Sequence, residues 1–394
     1  MKRTTGTYRK TTVAEEEVRA FLPHPLPPKR PALQVDEALT ELLDSAEASI
    51  DRLAVAGEMV PSVDWLVYGF VRKEAVISSQ IEGTQATLID LLTHEAKDEP
   101  EFPEGSDLEE VCNYLAALAY ARGQLGRSRG LPISMRLLNQ VHRRLMAGRS
   151  GAGARPGQIR QSQNWIGGTR PGNAVFVPPP PEALADALGQ LERYIHAKSP
   201  VHPLIKTSMF HAQFETINTY HDGNGRVGRL LITLLIEHWG LLTRPLLYLS
   251  LFFKQHRAEY YRRLDAVRTD GDWEGWVGYF LEGVRETSEQ TTTAARQLFA
   301  LVNDDRKKVL QLPSTTVAAA RLFEALPEHP VVTVERVAGL LDTSKPTATK
   351  AINALMDAGV LVEATGRRRD RVFHYRAYLD LLKEGTELIR TDSG

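Results

Sequence analysis

Cysteine is almost absent from this chain, since Cys112 is the one example among 394 residues. A single cysteine excludes an internal disulfide and a zinc cluster built on cysteine. The N-terminus also lacks the apolar core of a signal peptide. Both absences are consistent with the reducing cytosol, and we therefore expect a cytoplasmic protein.

Long apolar runs and an excess of one charge are missing as well. No run is long enough to cross a bilayer, which predicts a protein without membrane spans. The net charge is −1, so no overall field attracts nucleic acid or membrane, and any basic site must be local. The 42% of hydrophobic residues and the chain length predict packed cores in two or three domains.

Glycine and arginine, by contrast, are concentrated between Phe214 and Arg229, where the sequence is FETINTYHDGNGRVGR. Within eight residues lie three glycines, two arginines, an acid and an amide: Gly223, Gly225, Gly228, Arg226, Arg229, Asp222 and Asn224. Glycine lets the backbone turn back and lets a ligand approach closely. A helix start presents unpaired N–H groups, and arginines add charge-assisted hydrogen bonds to phosphate. The stretch therefore predicts a helix, an anion-binding loop and a second helix.

Two other phosphate-binding patterns do not fit. Gly223 to Gly228 matches G-x-G-x-x-G, but that pattern needs a preceding strand and an acid about 20 residues further on. The upstream apolar residues have helical spacing, and Glu237 follows too closely. A Walker pattern fails because no Gly-Lys-Ser/Thr is present. The remaining alternative is a glycine-rich turn between core helices, which would not need an acid, an amide and two arginines together.

The stretch resembles the signature of the Fic family, H-P-F-x-[DE]-G-N-G-R-x-x-R, and the match from Asp222 to Arg229 is complete. The family typically moves AMP from ATP onto a hydroxyl of a target protein. The resemblance implies that Asp222 holds Mg²⁺ and that Asn224 and the loop N–H groups hold the α-phosphate region. It implies that Arg226 contacts the β-phosphate and Arg229 the γ-phosphate.

The start of the signature departs from the family. Where the family has His-Pro-Phe, this chain has Asn218-Thr219-Tyr220, and the missing histidine takes the proton from the attacking hydroxyl. A carboxamide has no proton equilibrium near neutral pH and can only position groups. His221 and His211 are the alternative bases nearby. We expect nucleotide binding to survive and transfer to be slow or absent.

A second motif lies at Ser78-Ser79-Gln80-Ile81-Glu82-Gly83. It matches the family's inhibitory pattern [ST]-x-x-x-E-[GN], with Ser78, Glu82 and Gly83 at the fixed positions. The resemblance implies that Glu82 pairs with Arg229 and takes the place of the γ-phosphate. A carboxylate competes with phosphate for the same guanidinium. A surface glutamate before a helix-ending glycine is the alternative.

Two short strands are predicted around a turn at Pro171-Gly172-Asn173. The first comprises Asn164, Trp165, Ile166, Gly167 and Gly168, and the second is Ala174 to Val177. The family has a β-hairpin flap here that holds the target by strand addition. We call residues 164–177 the flap. A plain surface hairpin is the alternative.

The C-terminal sequence predicts helix, helix-turn-helix and a β-hairpin, which resembles a winged helix-turn-helix domain. Its third predicted helix and its wing have basic residues: Lys345, Lys350, Arg367, Arg368 and Arg369. Such a local basic surface suits double-stranded DNA. Protein contact or homodimer formation is the alternative.

The sequence therefore predicts a mainly α protein, with a Fic-fold helical bundle, a small β-hairpin flap and a C-terminal winged helix. The expected divisions are an N-terminal arm and inhibitory region (1–105), a Fic core (106–300) and the winged helix (313–384). The favoured function is that of an autoinhibited nucleotide-binding relative of the protein adenylyltransferases. An active adenylyltransferase using another base, and a DNA-binding regulator that senses nucleotide, are the alternatives.

Overall fold

Helices dominate the structure, a computed structural model. It describes residues 3–58, 63–98, 102, 106–148, 155–313, 315–367 and 369–388. The helices are α1 Glu37–Glu58, α2 Val63–Ile81, α3 Leu88–Lys97, α4 Asp107–Leu125, α5 Met135–Leu145, α6 Pro181–His196, α7 Pro203–Ile217, α8 Asn224–His238, α9 Ser250–Gln255, α10 Arg257–Thr269, α11 Trp273–Gln311, α12 Val317–Ala325, α13 Val334–Leu341, α14 Lys345–Asp357 and α15 Arg376–Leu382. The strands are β1 Gly6–Val13, β2 Glu16–Pro23, β3 Val331–Thr333, β4 Leu361–Glu363 and β5 Val372–Tyr375. The predicted mainly α class is confirmed.

The chain divides into two units. The first comprises residues 1–50 and 113–287, and the second comprises residues 51–112 and 288–394. The segment boundaries predicted from the sequence stay predictions. No helix in the described ranges is long and apolar enough to cross a membrane.

The first unit is built around α7 and α8, which pack against each other. From Val227 to Ile236 every residue of α8 is buried, as the apolar composition of this segment predicted. The helix starts at Asn224, inside the glycine-rich signature. The end of the signature is therefore the first part of a helix.

An aromatic cluster closes the core next to α7. His211 stacks on Phe253 at 5.8 Å between ring centroids and on Trp276 at 6.0 Å. The indole N–H of Trp276 donates to the carbonyl of Ser208 at 2.8 Å. Trp276 is fully buried, and the polar group of its ring is hydrogen-bonded inside this apolar environment.

The N-terminal segment differs from the prediction of an extended or disordered arm. Strands β1 and β2 form an antiparallel hairpin, in register from Gly6 opposite Pro23 to Val13 opposite Glu16. Its two-residue loop, Ala14-Glu15, has positive φ at both positions, 47° and 67°. Tight hairpin loops of this kind usually contain Asn-Gly or Asp-Gly. Because that signal is missing here, the hairpin could not be recognised from the sequence.

The second unit contains a three-stranded sheet in the order β3-β5-β4, and both pairings are antiparallel. Helices α12, α13 and α14 pack on one another. This order of elements is consistent with the predicted winged helix. The sequence did not predict β3 or α15. Helix α15 packs on α2, where Tyr378 lies 6.0 Å from Trp65 between ring centroids.

Arg3 ties the start of the chain to the body of the first unit. Its guanidinium forms two hydrogen bonds to the Glu274 carboxylate, at 2.6 and 2.7 Å. It also donates to backbone carbonyls of three residues, at 2.7 to 2.9 Å: Gly271, Pro31 and Ala32. The side chain is 6% exposed. The planar guanidinium thus makes five hydrogen bonds with its five N–H donors. A lysine side chain could not reproduce this set of contacts.

We expect Arg3→Ala to lower the free energy of unfolding by about 2–3 kcal/mol, because three carbonyls lose the hydrogen bond from Arg3 and the Glu274 carboxylate loses its charged partner. Arg9→Ala is the matched control, since Arg9 forms an exposed pair with Glu182 at 3.4 Å, and it should change stability by less than about 1 kcal/mol. Urea denaturation measures both. Equal losses in the two variants would contradict the anchoring role of Arg3.

Candidate functional site

The candidate site is the turn between α7 and α8. Helix α7 ends at Ile217 and is capped by Asn218, which has a left-handed conformation with φ 49°. Gly223, with φ 76°, precedes α8. The first N–H groups of α8 and the positive end of its dipole therefore lie at this turn. The predicted order of helix, loop and helix is confirmed.

Asn224 shapes the turn through its carboxamide. Its Oδ1 accepts the N–H of Tyr220 at 2.8 Å, and its Nδ2 donates to the carbonyl of Tyr220 at 2.8 Å. Both ends of the side chain are thus used to fix the backbone of the loop. The predicted contact of Asn224 with phosphate stays a prediction, and the structure adds this second task.

Asn218 is held from the flap. Its Oδ1 accepts a hydrogen bond from Asn164 Nδ2 at 2.7 Å, and the same nitrogen lies 2.9 Å from the carbonyl of Tyr220. The carboxamide of Asn218 is therefore fixed in one orientation, with its oxygen toward the flap. Asn164 connects the predicted target-binding segment to the position where the family has its base.

Arg160 is a functional candidate that the sequence did not reveal. It is 2% exposed and donates to the carbonyls of Asn218 at 2.7 Å and Ser162 at 3.0 Å, and to that of Pro179. Its own N–H donates to the carbonyl of Thr219 at 3.1 Å. Burial lowers the pKa of its guanidinium to about 10, so it stays charged at neutral pH. Arg160 fastens both ends of the flap segment to the end of α7.

His142 supports the other side of the loop. The N–H of Gly157 donates to its Nδ1 at 2.8 Å, so Nε2 carries the proton and donates to the carbonyl of Asp222 at 3.0 Å. Burial lowers the pKa of the ring to about 4, and the imidazole is neutral at physiological pH. It stacks on Tyr220 at 3.8 Å with an angle of 4° between the planes. The sequence did not single out this histidine, which is one of the buried residues of α5.

The two signature arginines are buried. Arg226 is 1% exposed and Arg229 is 3% exposed. One guanidinium nitrogen of Arg226 lies 3.8 Å from Met146 Sδ and 3.9 Å from an Asp222 carboxylate oxygen. Residues 226 and 229 are one helical turn apart at the start of α8, which places both on one side of the helix.

Close packing explains two of the three signature glycines. A Cβ on Gly223 would lie 3.0 Å from Met146 Sδ, and the φ of 76° also disfavours a side chain. A Cβ on Gly228 would collide with the carboxylate of Glu215. The loop conformation at Gly223 therefore favours glycine, and Gly228 leaves room for Glu215 beside the start of α8.

The two alternative bases lie in different surroundings. His211 is buried, and its Nε2 lies 2.8 Å from the Tyr260 hydroxyl. Burial and the nearby charge of Arg229 lower its pKa to about 3, so the imidazole stays in its neutral form at neutral pH. His221 is partly buried, and burial together with Arg160 and Arg155 lowers its pKa.

Asp222 is the carboxylate at the loop, and its side chain is 52% exposed. Its Oδ1 accepts the N–H of Gly223 at 2.6 Å. No group of three or more His, Cys, Asp or Glu side chains that could hold a metal exists in the described ranges. A single carboxylate suits Mg²⁺ when phosphate and water supply the other oxygens.

The flap is less regular than predicted. The turn at Pro171–Asn173 is present as a short 3-10 helix, but the two predicted strands are reduced to one antiparallel bridge, Ile166 with Phe176. Positive φ angles at Gly167 and Gly168, 68° and 72°, interrupt the first strand. Trp165, Ile166 and Val175 are exposed hydrophobic side chains.

The other predicted site residues belong to the second unit. Ser78 is buried in α2, Glu82 follows the end of that helix, and Gly83 has φ 109°. The ion pair between Glu82 and Arg229 stays a prediction. Lys345, which bonds to Glu335 at 2.6 Å, and Lys350 are exposed on α14.

In the predicted wing, Arg367 and Arg369 are exposed, and Arg368 lies outside the described residues. DNA binding by this unit stays a prediction.

Comparisons with known proteins agree with this geometry. A model described as Fic/DOC family N-terminal matches residues 40–123, and one described as Fic/DOC family matches residues 132–236. The protein adenylyltransferase Fic of Culex quinquefasciatus is 27% identical over 274 residues, which are 66% of this chain and 50% of that protein. The namesake of Aedes aegypti is 28% identical over 191 residues, 48% of this chain and 35% of that protein. The chain spans half or less of the length of these relatives.

A solved structure of a Fic family protein from Desulfovibrio desulfuricans G20 has a TM-score of 0.55 and 20% identity. The match covers 87% of this chain and 97% of that one, and it shows a shared fold. The signature turn lies within the second matched family segment, and the N-terminal segment precedes it in the same order as in the family. This chain belongs to the Fic family.

Proposed function

We propose that this protein binds ATP with Mg²⁺ at the turn between α7 and α8, and that its AMP transfer is slow or absent because Asn218 replaces the catalytic base. The observation that carries the proposal is the arrangement of this turn. Two buried arginines, Arg226 and Arg229, lie near the start of α8. Asn218, which caps α7, has a carboxamide side chain. The relatives are named protein adenylyltransferases, and we extend that activity to this chain only as a proposal.

The charges at the turn suit a triphosphate. Arg226 and Arg229 each present several N–H donors, and their burial strengthens hydrogen bonds to phosphate oxygens. The start of α8 adds backbone N–H groups for a further phosphate. Asp222 would hold Mg²⁺, which would offset the charge of the phosphates when bound. The half-exposed position of this carboxylate favours such a role.

Transfer of AMP needs a place for one proton. The oxygen of the target hydroxyl forms a bond to the α-phosphorus, the bond to the leaving pyrophosphate breaks, and the hydroxyl proton goes to a base. Asn218 has no lone pair basic enough to accept it. His211 is buried against Tyr260, so it does not fit as a substitute. His221 is the alternative base that would leave the protein active.

The Glu82 segment gives a second level of control in this proposal. Glu82 would compete with the γ-phosphate for Arg229, since a carboxylate and a phosphate use the same donors. Binding of ATP in a productive orientation would then require Glu82 to leave.

Nucleotide binding should depend on Arg226. We expect Arg226→Ala to weaken ATP–Mg²⁺ binding about 10- to 100-fold, because it removes charge-assisted hydrogen bonds. Arg129→Ala removes the same charge from an exposed position and should leave the affinity unchanged. Isothermal titration calorimetry measures both. Wild-type protein that shows no binding of ATP with Mg²⁺ would refute the proposed function.

AMP transfer should depend on the residue at position 218. We expect Asn218→His to raise AMP transfer from labelled ATP by about 10²–10⁴-fold over wild type, because it restores a general base. Asn218→Ala is the control and should stay as slow as wild type. If Glu82 inhibits, the comparison is repeated in a Glu82→Gly background. Robust transfer by the wild type, abolished in His221→Ala, would favour the alternative base.

Inhibition should depend on Glu82. Glu82→Gly should tighten ATP binding by about tenfold, since the competing carboxylate is removed. Glu82→Gln should do the same without the backbone effect of glycine. Glu41→Gln, on the exposed side of α1, is the control for charge alone. Unchanged affinity in both Glu82 variants would exclude competition by this residue.

A further inference from the structure

The N-terminal hairpin, formed by β1 and β2, lies beside the flap, and β2 is hydrogen-bonded to the flap at Val177. The N–H of Phe21 in β2 donates to the carbonyl of Val177 at 2.9 Å. On the other side of that segment, Ile166 and Phe176 exchange hydrogen bonds at 2.8 and 3.1 Å. The segments therefore follow one another in the order β1, β2, residues 174–177 and residues 164–166.

Apolar packing reinforces this contact. Val18, Ala20 and Val177 form a buried cluster, with Val13 and Ala174 packed against it. The rings of Phe21 and Phe176 lie 6.1 Å apart. Removing these side chains from water favours association of the hairpin with the second half of the flap.

The turn of the flap is also tied to the hairpin by charge. Arg170 forms an ion pair with Glu16 at the start of β2. A Cβ on Gly172 would collide with the same carboxylate, which shows how closely the two turns approach. Asn173 Oδ1 accepts the N–H groups of Thr169 and Arg170, both at 3.0 Å, so Arg170 is presented by a structured turn.

The hairpin itself is fixed to the helices. Gln213 of α7 donates to the carbonyl of His24 at 2.9 Å. The hydroxyl of Thr5 donates to the carbonyl of Val267 at 2.8 Å. Because both ends of the hairpin are anchored, it can support the flap from a defined position.

One side of the flap is left open for pairing. In the part of the chain that the structure describes, no hydrogen bond reaches the backbone N–H or C=O of Trp165. In a strand, neighbouring residues direct these groups to opposite sides. Ile166 forms the single bridge to Phe176, and this bridge does not use the backbone groups of the preceding residue, Trp165. The opposite edge, at Val177, is occupied by β2.

We propose that the N-terminal hairpin is a part of the target-docking surface because it positions the flap: β2 occupies the edge at Val177, and Glu16 holds the turn of the flap through Arg170. The docking half of this inference rests on the proposed function. The positioning half does not, since it concerns the flap alone.

The test uses charge exchange between the hairpin and the flap. We expect Arg170→Glu to speed amide hydrogen exchange in residues 164–177 by roughly three- to tenfold, because attraction to Glu16 becomes repulsion. The double variant Arg170→Glu with Glu16→Arg should return exchange toward the wild-type rate. Lys10→Glu is the matched control, because Lys10 pairs with Glu17 at 2.8 Å on the same hairpin away from the flap.

AMP transfer is measured in the Asn218→His variant, as attachment of AMP from ATP to the protein itself. Arg170→Glu should lower kcat several-fold and leave the KM for ATP unchanged, since the nucleotide site is untouched. The charge-exchanged double variant should recover the wild-type kcat.

Hydrogen exchange in the flap that is insensitive to Arg170→Glu, or equally sensitive to Lys10→Glu, would overturn the positioning role. Faster exchange with an unchanged kcat would overturn the docking role. Wild-type protein that does not bind ATP would refute the proposed function, while the exchange result would still decide the hairpin's role.

Discussion

The turn between α7 and α8 depends on side chains that donate hydrogen bonds to its carbonyl oxygens. Arg160, Asn164 and His142 together contact the carbonyls of Asn218, Tyr220 and Asp222. A loop that leaves a helix, turns through a left-handed residue and enters a second helix cannot pair its carbonyls within regular structure. Buried donors supply the missing partners, and the first N–H groups of α8 lie at the end of this turn. Removing Arg160 would take this donor from the carbonyl of Asn218, whereas the carbonyl of Tyr220 would keep the hydrogen bond from Asn224 Nδ2.

This constraint links the flap to the site. Arg160 and Asn164 lie at the entry of the flap, and each contacts the end of α7. The guanidinium of Arg268 lies 4.0 Å from the ring of Phe176 and donates to Thr216 of α7 at 3.2 Å. The segment predicted to receive a target and the position that would act on it are therefore parts of one hydrogen-bonded structure. The N-terminal hairpin extends this structure outward.

The sequence was sufficient for local features with strong signals. Glycines next to charged residues at 222–229 indicated the turn, and the apolar composition from Leu230 to Ile236 indicated a buried helix. It was not sufficient where the cause lies far away in the chain. Most neighbours of Arg160 in the sequence are polar, and the segment shows no helical or strand periodicity. Its side chain is buried because it donates to the carbonyl of Asn218, 58 residues further along the chain. The Ala14-Glu15 turn has residues that seldom take positive φ, and its geometry follows from the pairing of the flanking strands.

The residue at position 218 fits the structure of the turn, although its carboxamide cannot act as a base. The backbone there has φ 49°, and Asn tolerates this left-handed region better than most residues. Its Oδ1 also accepts the hydrogen bond from Asn164, which a protonated imidazole could not do. An asparagine at this site therefore satisfies the backbone conformation and the flap contact at once. The requirement that it fails is the proton equilibrium, which matters for transfer and not for the fold of the turn. A protein that gained from binding a nucleotide without consuming it could keep every other part of the site unchanged.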